Sequence, residues 1–60
     1  MKLTPTDIEQ AEELAGKLHR LLEQLVEKSS DYDVARVLKK SEAELMDLRH
    51  NLAVVKRLLH

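Results

Sequence analysis

Along the chain, Ile8, Ala11, Ala15, Leu18, Leu22 and Leu25 recur in alternating steps of three and four, with Leu14 and Leu21 widening the stripe on one side and Val26 on the other. A second series, Val34, Leu38, Ser41, Leu45, Leu48, Leu52, Val55 and Leu59, repeats in steps of four and three without exception, the signature of a coiled-coil seam. Between them Ser29-Ser30-Asp31-Tyr32-Asp33 breaks the period with residues whose side chains bond nearby backbone. The pattern predicts an all-α chain with a helix over about 5–28, a turn at 29–31 and a helix over about 31–59, in one domain spanning 1–60. A turn this short makes the two helices antiparallel neighbours, a helical hairpin.

The helix starts are written into the sequence. With Thr4 as N-cap, Pro5 falls at the first helical position, where its missing N–H costs nothing, and Asp7 falls where a capping-box acid belongs. Leu3 and Ile8 take the two places of a hydrophobic staple, and Ser30 with Asp33 reads as a second capping box. At 1.5 Å per residue the helices measure about 36 and 43 Å, so the longer one is expected to overhang and expose an apolar end at Val54, Val55, Leu58 and Leu59.

Composition agrees and removes several classes of function. Leu, Glu, Lys, Arg and Ala fill 34 of 60 positions, above the roughly 50% level that marks long helices and coiled coils. Without cysteine there is no disulfide framework, thiolate metal site or cysteine nucleophile. A net charge of −1 is not the footprint of a nucleic-acid or anionic-membrane binder. No apolar run approaches a membrane span and the amino terminus is too polar for a signal peptide, so the expectation is a soluble chain without a targeting signal and of unassigned location. Chains this short need disulfides, a metal or self-association to build a sufficient core, and only self-association is plainly on offer.

The oligomer core is therefore expected at Leu18, Leu22, Leu25, Leu38, Leu45, Leu48, Leu52, Val55 and Leu59. Ser41 is the one polar residue in the second seam and has two open readings. It either joins a network with His19 and Asn51, which flank the seams, or bonds the carbonyl four residues back on its own helix. Ala43, Met46, His50, Ala53 and Val54 make a weaker stripe on the outer face of the second helix, rimmed by Arg36, Lys39 and Arg57, and form a candidate second interface. His19, His50 and His60 lack the spacing of a metal site, and no carboxylate stands beside a pocket, a nucleophile or a phosphate loop. No enzyme activity, cofactor or metal is expected.

Two resemblances follow from the turn and the seams. Leu21-Leu22-Glu23-Gln24-Leu25 before the turn, with Leu45, Leu48 and Leu52 after it, resembles the repressor-of-primer family, whose hairpins dimerise into antiparallel four-helix bundles that bind RNA. The first helix here carries Glu9, Glu13 and Glu23 and no aromatic residue, so the likeness implies topology and not RNA binding. Ser29-Ser30-Asp31-Tyr32-Asp33-Val34 and the Thr4-Pro5 start are similar to computationally designed helical hairpins that self-associate. That likeness implies a four-helix or larger bundle whose role is homo-oligomerisation, with a dimer favoured. The alternative is a small natural regulator or adaptor that binds a larger protein through the outer face or apolar end of the second helix.

Overall fold

The structure is a computed structural model, and it describes residues 2–59; His60 lies outside them. Two helices form a hairpin, α1 at Pro5–Lys28 and α2 at Tyr32–Leu58. Asp7 N–H donates to the Thr4 hydroxyl at 3.3 Å while the Thr4 N–H donates to Asp7 Oδ2 at 3.0 Å, so the capping box closes in both directions. Each helix carries an acid in its first turn, Asp7 or Asp33. Each also has bases in its last, Lys28 in α1 and Lys56 with Arg57 in α2, matching the helix dipole.

The second start differs by one residue from the expected Ser30 capping box. Asp31 is the N-cap of α2, its Oδ1 accepting from Asp33 N–H at 2.8 Å and Val34 N–H at 3.2 Å. The Ser29 hydroxyl donates to the Asp31 carbonyl and accepts from the Asp31 N–H, so the turn folds around Ser29 and presents the next acid to the helix end. A carboxylate there answers both the free N–H groups and the positive end of the dipole, which a serine hydroxyl does only in part.

The overhang is also corrected. Val54, Val55 and Leu59 are half-buried and only Leu58, 78% exposed, stands clear. Lys56 Nζ reaches Glu12 Oε1 at 2.9 Å, which sets the last turns of α2 beside the first turns of α1 and brings the two ends nearly level.

The hairpin measures 44 × 17 × 15 Å. Among the described residues only Ile8, Ala15 and Leu45 are buried, all on the apolar seams along which the helices meet. The rest of the apolar seam is only partly covered, because two helices can enclose one line of contact and no more.

Candidate association surface

The two seams run along one line, and the residues on either side of it divide the hairpin into two unlike faces. On one side stand Glu12 and His19 of α1 and Glu42, Arg49 and Lys56 of α2, each set at heptad spacing. These form rungs between the helices: Lys56 to Glu12, and Arg49 Nη1 to His19 Nδ1 at 3.0 Å. His19 Nε2 lies 3.5 Å from Glu23 and 3.8 Å from Glu42. A guanidinium only donates, so Nδ1 accepts and the ring proton sits on Nε2, facing the two carboxylates. The Lys56 ammonium is held above its ordinary pKa by the hydrogen bond and charge of Glu12, with a smaller contribution from Glu9.

Gly16 sits on this polar side. A Cβ built there would meet only Arg49 Nη2, at 3.8 Å, an ordinary contact with the mobile end of a side chain. The helix approach thus does not depend on the glycine.

The opposite face is apolar. Leu18, Leu22, Ser41, Glu44, Leu45 and Leu48 line one shallow groove of about 390 Å³. A second, of about 310 Å³, continues along Ala11, Leu14, Ala15 and Leu52 and shares Leu18, Leu45 and Leu48 with the first. The leucines here are open: Leu14 is 66% exposed, and Leu18, Leu21, Leu25 and Leu48 are each about half exposed. Of the expected core, Leu45 is buried and Leu22, Leu38, Leu52, Val55 and Leu59 are half-covered within one chain, whereas Leu18, Leu25 and Leu48 remain exposed.

The three polar residues considered for a network are not brought together within the chain. The Ser41 hydroxyl donates to the Val37 carbonyl at 3.2 Å on its own helix, His19 pairs on the other face, and Asn51 is exposed. Of the outer stripe, Met46, His50 and Ala53 line a groove of about 440 Å³ with Glu12 and Arg49; Ala43 is exposed and Val54 half-buried. The sequence pattern offered Glu12 and Glu42 only as carboxylates without a pocket, and it did not pair them with Lys56, Arg49 or His19 as rungs between the helices. Their signal was present as charges repeating every seven residues beside the second seam, at Glu42, Arg49 and Lys56, with Glu12 and His19 seven apart beside the first, but pairing them requires knowing which residues stand level.

Among the described residues no group of three His, Cys, Asp or Glu side chains is placed to hold a metal ion, and no helix is long and apolar enough to cross a membrane. Compared with protein-family models, curated proteins and solved structures, the chain matches none.

Proposed function

We propose that this chain is a non-catalytic assembly module whose apolar face binds a second copy of itself, making a four-helix bundle of the kind that designed helical hairpins form. The observation that carries this is the surface left open. The chain exposes 4988 Å², whereas a compact folded monomer of 6.9 kDa exposes about 4,000 Å². The excess, roughly 1,000 Å², is close to the ~800 Å² that each partner contributes to a stable interface. The leucine grooves make one continuous face of that open surface, and a second copy supplies an equally apolar one. Half-exposed Leu18 and Leu48 at the middle of that face become the core of the assembled bundle.

The decisive measurement is light-scattering mass over a hundredfold concentration range, with helicity followed by circular dichroism on the same samples. A mass of twice 6.9 kDa with constant helicity is the expected result. A helical monomer at every concentration would overturn the reading.

A further inference from the structure

We infer that the second copy docks with α1 against α1 and α2 against α2, each pair antiparallel, about a twofold axis that crosses the bundle near Leu18 and Leu48. This rests on the self-association reading above and adds which helices meet.

The positions that must form the new contact are identified by those already used. Glu12, His19, Arg49 and Lys56 stand on one flank of the seams and pair inside the hairpin. In an all-antiparallel bundle the equivalent line on the other flank meets the neighbouring molecule. On α1 that line is Asp7, Leu14, Leu21 and Lys28; on α2 it is Val37, Glu44, Asn51 and Leu58. All eight are exposed in the single chain.

Levels along the bundle follow from the grooves and the rungs. Leu18, Leu45 and Leu48 line both apolar grooves, and His19 sits between Glu42 and Arg49, so the middle of α1 is level with the middle of α2. A twofold axis across the bundle at that level reverses each helix onto its own copy. It sets Leu14 opposite Leu21 of the second copy and Asp7 opposite Lys28 at both ends of α1. On α2 it sets Val37 opposite Leu58, and Glu44 opposite Asn51. Every apolar residue then meets an apolar one, the acid meets the base, and the carboxylate meets an amide that can donate to it.

The other way to close an all-antiparallel bundle places the axis along it, with α1 beside α2 of the second copy. The same levels then put Asp7 against Leu58, Leu14 against Asn51, Leu21 against Glu44 and Lys28 against Val37. Every rung pairs a polar residue with an apolar one, so charged groups are desolvated without partners. One set of side chains fits the first arrangement at all of its rungs and the second at none.

Cysteine cross-linking tests this cleanly because the chain has no cysteine of its own. Lys17 and Asp47 stand one step outward from the contact lines and are exposed. In the inferred arrangement Lys17 comes beside Lys17 of the second copy, and Asp47 beside Asp47. Lys17→Cys alone and Asp47→Cys alone, each treated with a short bis-maleimide, are therefore expected to give covalent dimers in most of the chains. Cross-links that form only when the two variants are mixed would overturn the inference and install the other arrangement. A dimeric mass with no cross-link in any sample, or a mass of three or more chains, would overturn it as well. A monomeric mass before treatment would instead remove the self-association reading on which it stands.

Discussion

Leu48 and Met46 offer a matched pair of perturbations. They are two residues apart on α2 and nearly equally exposed in the single chain, 47% and 52%. They differ in which face they occupy: Leu48 lines both apolar grooves, whereas Met46 lines the groove beside Glu12 and Arg49 on the polar side. If burial within the hairpin decided everything, Leu48→Asp and Met46→Asp would do similar damage. If the apolar face is the association surface, they diverge. Fully burying a leucine side chain is worth about 1.5–3 kcal/mol, so covering the half of Leu48 left open contributes about 1 kcal/mol per chain and about 2 kcal/mol per dimer. An aspartate in its place loses that and is stripped of water amid leucines, at no less than about 3 kcal/mol per chain. The total, roughly 8 kcal/mol per dimer, weakens association by more than about 10⁵-fold and turns even a nanomolar dimer into a monomer at micromolar concentration. Met46→Asp forfeits only the partial cover it has now, under about 1 kcal/mol, and keeps its dimeric mass. Light scattering on the two purified variants reads the difference directly, and circular dichroism reports whether helix is lost when the leucine face is left uncovered. A Leu48→Asp protein with an unchanged dimeric mass, or two variants that dissociate alike, would refute the assignment of the face.

Three further outcomes test the hairpin itself. Gly16→Ala should stabilise the chain by about 1 kcal/mol, because the added methyl meets only the end of Arg49 and the helix sheds its least favourable interior residue; a thermal melt should move up by about 5 °C, and a downward shift would show that the site is tighter than it looks. Asp31→Ala should cost about 1 kcal/mol while Ser30→Ala stays within a few tenths, since the Asp31 carboxylate caps α2; denaturant titration of both variants separates the assignments. The Lys56–Glu12 rung favours the protonated lysine, so its contribution is fully present below the ordinary lysine pKa of 10.5 and is lost as pH rises through the higher folded value. Melting temperature should fall more steeply above that pH in the native chain than in Glu12→Gln, and parallel profiles would remove the rung from the account.

The helices, the capped start of α1 and the hairpin topology were legible in the sequence because each rests on chemistry between near neighbours. Thr4, Pro5 and Asp7 lie within four residues of one another, and a seam of period three and four needs only counting. The start of α2 was missed by one residue because Ser30 and Asp31 are both competent caps; the choice falls to the turn, where the Ser29 hydroxyl holds the Asp31 backbone. The expected overhang failed for a different reason. Helix lengths say nothing about how two helices slide past each other, and here the slide is seen in Lys56 reaching Glu12, forty-four residues away in the chain.

What the period could not separate was the line buried within the hairpin from the apolar positions that the hairpin leaves open. It placed Leu45 with Leu48, and Ala15 with Leu18, on one stripe, yet within the hairpin the first of each pair is buried and the second stands half open. The asymmetry of the stripe holds the distinction. Leu14 and Leu21 widen it on one side, whereas the other side of the same helix carries Glu12, Gly16, His19 and Glu23, with Val26 its one apolar member near the turn. A helix that met a single neighbour would gain nothing from a lopsided stripe, since the extra leucines would stay in water. Widened by leucines on one side and mostly polar on the other, α1 has, in the proposed assembly, two neighbours at an angle to each other. The hairpin provides the one reached by polar rungs, and under the proposal a second copy covers the face of Leu14, Leu18 and Leu21, which the single chain leaves exposed.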